Sequence, residues 1–164
     1  PEGLGMSAKR IMVSTSGVPK MIKKLADDDV KFKLAVSLHS AIDEIRSRIM
    51  PFSANFPLAD LRQSLEYWYR KTKSKISYEY VVWKDINDNK ESIDALVKFC
   101  KYVPCKVNLI EYNPIDDGEF QQASEESINA YIKALEASGI VVKVRRSRGK
   151  DIDAACGQLA NKEA

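Results

Sequence analysis

Short apolar runs alternate with longer amphipathic stretches along the whole chain. The apolar runs are rich in β-branched and aromatic residues, and they predict strands at residues 10–14, 33–38, 76–83, 107–112 and 140–144. Between the runs, apolar residues recur at helical spacing, which predicts helices at residues 21–26, 43–49, 57–73, 91–102 and 124–139. Strands that alternate with helices are typical of parallel βαβ units with right-handed crossovers. The pattern therefore predicts an α/β protein whose sheet is either an open wound sheet or part of a barrel.

Candidate binding residues lie where the predicted strands end, because parallel α/β folds bind ligands at the carboxyl ends of their strands. These candidates are Ser14, Ser37, Leu38, His39, Glu79 and Asn113. We expect them to line one rim of the sheet. Structural alternatives exist: a hydroxyl often caps the next helix, a single histidine is often held by hydrogen bonds within the fold, and an Asn-Pro pair can fix a turn. The residues alone do not decide between these roles.

A basic segment that contains one cysteine follows the last predicted strand. Small residues flank Cys156, so a ligand can approach its sulfur closely. The cations upstream favour the nucleophilic thiolate, and they are Arg145, Arg146, Arg148 and Lys150. Asp151 and Asp153 oppose this effect, so the direction of the pKa shift stays open. Cys156 is therefore either a reactive thiol beside a phosphate-binding rim or one more small buried residue.

Composition narrows the class of protein. A chain of 164 residues with 45% hydrophobic residues is enough for one core, so residues 1–164 are predicted to form a single unit. The net charge of +3 permits an RNA partner without requiring one. The odd number of cysteines, 3, argues against a disulfide framework and favours the cytoplasm. No apolar run reaches the length of a membrane span, so we expect no membrane partner.

Missing motifs exclude several reaction classes. The chain has no C-x-x-C pair, no H-E-x-x-H, no Gly-rich phosphate loop and no G-x-S-x-G elbow. Cys100 and Cys105 are expected in the core, and their separation from Cys156 gives no metal-ligand spacing. The sequence therefore predicts no metal ligand.

Five segments together resemble one known family. They are STSGVP at 14–19, SLHS at 37–40, DEIRSRIMP at 43–51, CKVNLIEYNP at 105–114 and RGKDIDAACGQL at 148–159. In this order they resemble the RlmN/Cfr radical S-adenosylmethionine RNA methyltransferases. The resemblance is closer to RlmN, whose members methylate C2 of adenosine in large-subunit ribosomal RNA and in some transfer RNAs. It covers nearly the whole chain, and its last motif is highly specific.

The resemblance implies a fold and a cofactor site. The fold would be a partial (β/α)₆ radical-SAM barrel, an incomplete TIM-like barrel whose first strands are missing from this chain. The residues that match the family's S-adenosylmethionine contacts are Ser14, Ser37, Leu38, His39 and Asn113. Arg145, Arg146, Arg148 and Lys150 would hold RNA phosphates by charge-assisted contacts.

The resemblance also implies a role for the cysteine. Cys156 would take a methyl group from one S-adenosylmethionine and become S-methylcysteine. A radical derived from a second molecule would remove hydrogen from that methyl group, and the resulting carbon radical would add to the adenine ring. Such a tethered radical is needed because an sp² ring carbon of adenine is a poor nucleophile. The target base is expected to leave its stack to reach the sulfur.

This sequence departs from the family pattern because it lacks the strand that carries the cluster loop, the GEP segment of the following strand and the cysteine that resolves the RNA-protein intermediate. The C-x-x-x-C-x-x-C loop that holds a 4Fe-4S cluster is absent, and the three cysteines present are wrongly spaced for one. We therefore expect the chain to be the C-terminal part of a longer enzyme and to be inactive alone, with the cluster and an electron donor required by the full-length protein. Two other functions stay open: a non-catalytic RNA-binding module, and a Cfr-like methyltransferase that acts at C8 of adenine.

Overall fold

The computed structural model describes residues 11–112 and 120–146, the last without its side chain. Its strands are β1 Met12–Thr15, β2 Lys33–Ser37, β3 Ile76–Val82, β4 Cys105–Glu111 and β5 Val141–Arg146. Its α-helices are α1 Pro19–Asp27, α2 Asp43–Ile49, α3 Leu58–Thr72, α4 Lys90–Cys100 and α5 Glu125–Ala137. A 3₁₀ helix at Pro51–Asn55, which the sequence pattern did not predict, joins α2 to α3.

The strands form one parallel sheet in the order β1-β2-β3-β4-β5. Each connection therefore moves one strand further in the same direction, and right-handed crossovers then place the connecting helices on one face of the sheet. This is the arrangement of a barrel segment, whereas a doubly wound sheet reverses its strand order and carries helices on both faces. The prediction of a partial barrel is confirmed, and the open wound sheet is the wrong alternative.

One continuous core lies between the sheet and its helices. Alternate residues of each strand point toward this core because side chains of a strand alternate between its two faces. The helices contribute Ile22, Leu61, Leu96 and Tyr131, which are all fully buried. The strands contribute residues such as Leu34, Val36, Tyr78, Tyr80, Val107 and Leu109. The apolar sides of the helices and one face of the sheet therefore pack against each other to form this core.

The other face of the sheet, which we call the inner face, is more polar. It carries Ser37 of β2, Glu79 of β3, Asn108 of β4 and Lys143 of β5, because their neighbours along each strand pack into the core. Toward the carboxyl ends of β3 and β4 the inner face becomes apolar and packs into a second, smaller cluster of Val81, Trp83, Ile110 and Tyr112. The centre of the inner face is therefore polar, and its part nearest the carboxyl ends of β3 and β4 is apolar.

Helix boundaries follow the signals in the sequence. Ser124 caps α5 by accepting a hydrogen bond from the backbone N–H of Ser127, 3.1 Å away, and Gly139 follows that helix with a φ of +76°. Pro57 occupies the N-cap position, so α3 begins one residue later than the predicted helix 57–73. None of the helices in the described part of the chain is long and apolar enough to cross a membrane.

Candidate functional site

Arg46 connects the loops that follow β1 and β2. Its Nε donates to the carbonyl oxygen of Leu38 at 3.0 Å, and its Nη2 donates to the carbonyls of Ser16 at 2.9 Å and Ser37 at 3.1 Å. The side chain is only 1% exposed. Burial lowers the pKa of Arg46 to about 10, while the Asp43 carboxylate acts in the opposite direction, so the guanidinium remains charged at neutral pH. A buried cation thus fixes the two predicted cofactor loops relative to each other.

Gly17 fits against the tip of Arg46. Its φ of +98° lies in the left-handed region, which L side chains rarely adopt. A Cβ atom at this position would lie 2.9 Å from Nη2 of Arg46 and 3.4 Å from a methyl carbon of Leu61. The backbone N–H of Gly17 donates to Oγ1 of Thr15 at 3.1 Å. The glycine is therefore required both by the backbone turn and by the close approach of the arginine.

His39 is buried at the end of β2 and has a φ of +58°. Its Nδ1 accepts a hydrogen bond from the backbone N–H of Val81 at 3.0 Å, and its ring meets the Trp83 ring edge-on, with centroids 5.6 Å apart. Burial, and secondly the charge of Arg46, lower the pKa of His39 to about 3. The imidazole is therefore neutral and carries its proton on Nε2. Nδ1 is therefore engaged by the backbone of β3, and a cofactor contact through Nε2–H stays a prediction.

Asn87 fixes the backbone turn at His39 through hydrogen bonds, and this role was not predicted from the sequence. Its Nδ2 donates to the carbonyls of His39 and Val81, each at 2.8 Å, and its Oδ1 accepts from the N–H of Trp83 at 2.7 Å. The residue is fully buried. In the sequence it lies in a polar DINDN segment, which is typical of an exposed turn. Nothing in that local pattern indicates a buried amide with three backbone partners.

A row of four polar residues crosses the inner face. Ser37 is in register with Glu79, Glu79 with Asn108, and Asn108 with Lys143. Residues in register on parallel strands share a face and lie about 4.8 Å apart. Nδ2 of Asn108 donates to Oε1 of Glu79 at 3.2 Å. We call these four residues the polar row.

The predicted cofactor residues differ in how far they are buried, and the structure describes all of them except Asn113. Ser14 is exposed on β1, in register with Ala35, and Ser37 is half-buried in the polar row. The side chain of Leu38 is fully buried in the main core, and its N–H donates to the carbonyl of Glu79 at 3.0 Å. Its backbone carbonyl is held by Arg46, so Leu38 contributes to the site by fixing the loop. Asn113 lies outside the described residues.

The predicted RNA-binding residues are described only in part. Arg145 is exposed on β5, in register with Ile110 of β4. Arg146 ends β5, and the structure does not describe its side chain. Arg148, Lys150 and Cys156 lie outside the described residues. The approach of these cations to Cys156 therefore stays a prediction.

The described residues provide no cluster of metal ligands. Among residues 11–112 and 120–146, no three His, Cys, Asp or Glu side chains are grouped to hold a metal ion. Cys100 and Cys105 are buried, and the Cys105 thiol donates to the Cys100 carbonyl at 3.4 Å. A hydrogen bond with Cys105, together with burial, raises the pKa of Cys100. Both cysteines belong to the core, and the described part of this chain does not fit a 4Fe-4S cluster.

Comparison with known proteins gives a consistent result. No family model matches the chain. A Flavobacterium johnsoniae protein named "Probable dual-specificity RNA methyltransferase RlmN" is 86% identical over 163 residues, which are 99% of this chain and 47% of that protein. A Flavobacterium psychrophilum protein of the same name is 83% identical over 162 residues, again 99% of this chain and 47% of the relative. The chain thus spans about half the length of the curated relatives it matches.

A solved structure supports the same relationship. The crystal structure of a radical SAM methyltransferase from Sphaerobacter thermophilus superposes with a TM-score of 0.87 at 38% identity. The match covers 95% of this chain and 46% of that one. The β1-to-β5 sheet with its helices on one face is therefore similar to one part of a larger methyltransferase.

Proposed function

We propose, from the membership of this chain in the RlmN family of RNA methyltransferases, that the protein methylates C2 of adenosine in large-subunit ribosomal RNA and in transfer RNA. The sequence identity with the relatives carries this proposal. The geometry agrees with it, because Arg46 holds the loops after β1 and β2 together at the carboxyl end of a parallel sheet. That end is where barrel enzymes bind their substrates.

S-adenosylmethionine would bind at the inner face and its carboxyl end. Ser14 and Ser37 offer hydroxyl groups there, and the neutral His39 offers an N–H donor on Nε2. Leu38 would act through its fixed backbone. Asn113 follows Tyr112 at the end of β4 and would complete the set. S-adenosylmethionine supplies both the methyl group and, after reductive cleavage, the radical of the reaction.

Cys156 would carry the transferred methyl group. Its neighbours in the sequence are small and would leave room for a base at the sulfur, and the cations Arg145, Arg146, Arg148 and Lys150 would hold the RNA backbone. RNA phosphates position the substrate without specifying it, so selection of the adenine must come from the pocket around the sulfur. We expect the protein to act in the cytoplasm, where its RNA substrates are.

The 4Fe-4S cluster would be held by cysteines other than those of the described core. Since this sequence has no C-x-x-x-C-x-x-C loop, we expect activity only in a protein that also contains one and that receives electrons from a donor. The chain alone would present part of the S-adenosylmethionine site.

Mass spectrometry of Cys156 tests the proposal. A protein of the relatives' full length that carries this sequence is digested with trypsin, and the peptide 151–162 is weighed with the C-x-x-x-C-x-x-C loop intact and with its cysteines replaced. We expect one added methyl mass only when the loop is intact. An unmodified thiol in both proteins contradicts the proposal and favours the non-catalytic RNA-binding module.

Variants of the cysteines separate catalysis from binding. Cys156→Ala should abolish RNA methylation while RNA affinity survives, whereas Cys105→Ala, at a buried core cysteine, should retain methylation in the fraction that folds. Nucleoside analysis of the product distinguishes 2-methyladenosine from 8-methyladenosine, and the latter would indicate a Cfr-like enzyme. Methylation by Cys156→Ala would show that the cysteine is not the methyl carrier.

A further inference from the structure

We propose that Glu79 binds a ribose hydroxyl group of S-adenosylmethionine, with Asn108 fixing the carboxylate for that contact. This inference rests on the function proposed above and adds a cofactor-binding residue in the centre of the polar row. The observation behind this inference is a carboxylate oxygen that has no hydrogen-bond donor. Oε2 of Glu79 is buried and accepts no hydrogen bond from any residue in the described ranges 11–112 and 120–146.

A carboxylate oxygen that is buried without a donor needs an explanation, because leaving it unpaired costs the full desolvation of that group. Glu79 cannot turn away freely, since Nδ2 of Asn108 holds its other oxygen, Oε1, at 3.2 Å. The arrangement therefore leaves one fixed acceptor without a partner. A ligand that supplies one hydrogen-bond donor would complete it.

The position of Glu79 matches the proposed cofactor site. It is in register with Ser37 on the neighbouring strand, and the backbone carbonyl of Glu79 accepts the N–H of Leu38 at 3.0 Å. Side chains in register on adjacent parallel strands lie within reach of the same small ligand. A molecule that contacts Ser37 from the inner face would therefore also meet Glu79.

Charge and donor count favour a hydroxyl over the ammonium group of the cofactor. An ammonium has three N–H donors and needs several acceptors. Here one carboxylate oxygen is already engaged, and the polar row continues with the amide of Asn108 and the cation of Lys143. A single free carboxylate oxygen suits a single O–H donor, as carboxylates that bind ribose hydroxyls in other nucleotide sites do.

Binding of two nucleosides tests the inference. S-adenosylmethionine and 5′-methylthioadenosine both contain the ribose, but only the first has an ammonium group. In a protein of the relatives' full length, we expect Glu79→Ala to weaken both ligands by about tenfold, measured by isothermal titration calorimetry. Glu79→Gln keeps a neutral acceptor and should lose about threefold. Loss of S-adenosylmethionine affinity alone, with 5′-methylthioadenosine unchanged, would overturn the ribose contact in favour of the ammonium.

Ser77→Ala is the matched control, because Ser77 lies on the same face of β3, two residues before Glu79, and is only 2% exposed. It should leave both affinities unchanged. Asn108→Ala should reproduce part of the Glu79→Ala loss, because it releases the carboxylate without removing it. If the unmodified protein binds S-adenosylmethionine and methylates RNA while both Glu79 variants bind normally, the inference is wrong and the proposed function stands. If the unmodified protein does not bind S-adenosylmethionine, both are wrong.

Discussion

Nη2 of Arg46 lies 2.9 Å from the carbonyl oxygen of Ser16, a residue 30 positions earlier in the chain. The same nitrogen reaches the carbonyl of Ser37, and Nε reaches that of Leu38. One buried side chain of α2 therefore satisfies three carbonyls at the ends of two strands. Polar backbone groups that are withdrawn from water need such partners, so the arginine is an integral part of both loops.

Replacement of Arg46 by methionine should destabilise the protein strongly. The methionine fills much of the volume but removes the donor of three carbonyls, one in a buried hydrogen bond and two in half-buried ones, and we expect a loss of about 3 kcal/mol in the free energy of unfolding. Urea unfolding measures this loss. Arg48→Met is the control, because Arg48 is exposed on the same helix and its replacement should change stability by less than about 0.5 kcal/mol. Equal effects of the two variants would contradict the role of Arg46.

Gly17 and Gly139 provide a matched pair for the contact with Arg46. Both have a positive φ, so an alanine at either position costs about 1 kcal/mol in backbone strain. Only Gly17 has a side-chain atom within reach of a new Cβ, whereas nothing lies within 4 Å of that position at Gly139. We expect Gly17→Ala to lose about 2 kcal/mol more than Gly139→Ala, measured by urea unfolding, because the methyl group displaces the guanidinium. Similar losses would show that the Arg46 guanidinium moves aside without lowering the free energy of unfolding.

The sequence predicts the strands and helices well because their signals are local. The β-branched and aromatic residues of β3 mark a strand that is buried on both faces, and the spacing of Leu61, Leu65 and Trp68 in α3 follows from burial on one side of the helix. Boundaries shifted by a few residues, and the predicted strand 107–112 in fact begins at Cys105. The choice between an open sheet and a barrel was not local, since it depends on the order in which distant strands pair.

From the sequence, the candidate site could be located only at the carboxyl ends of the strands. Ser37 and His39 became candidates because polar residues after buried strands are conspicuous in a sequence, and their contact with a cofactor stays a prediction. Arg46 and Asn87 were not assigned roles, because their partners lie 30 and 48 residues away and an arginine on a helix or an asparagine in a turn is ordinarily exposed. The assignment of His39 also required the structure, which shows that Nδ1 is occupied by Val81.

Replacement of Asn87 by alanine should cost about 3 kcal/mol in the free energy of unfolding, since two carbonyls and one N–H lose their partners in a buried position. Asn89→Ala is a useful comparison two residues later. Asn89 caps α4 by accepting from the N–H of Ser92 at 2.8 Å, and loss of a cap costs about 1 kcal/mol. Thermal or urea unfolding of both variants tests the ranking. A smaller loss at Asn87 than at Asn89 would mean that water replaces the amide.

The acid dependence of stability should report on His39, which is the single histidine of the sequence. Its pKa is about 3 in the folded protein and about 6.5 when exposed, as in the unfolded chain. Between these values the unfolded state binds more protons than the folded state. His39 therefore destabilises the fold as pH falls from 6.5 toward 3, and it has no such effect above pH 6.5.

Between pH 7.5 and 5, before most carboxylates titrate, we expect the free energy of unfolding to fall with a slope that approaches about 1.4 kcal/mol per pH unit. His39→Gln, which keeps an acceptor for the Val81 N–H, should remove this slope. The ring resonances of the single histidine should not titrate in the same range, because burial lowers the pKa of the imidazole, the nearby Arg46 guanidinium opposes a second positive charge, and Nδ1 is engaged by Val81. A histidine resonance that titrates near pH 6.5 would show that the imidazole is accessible, and the interpretation of His39 as a neutral donor through Nε2 would then be wrong.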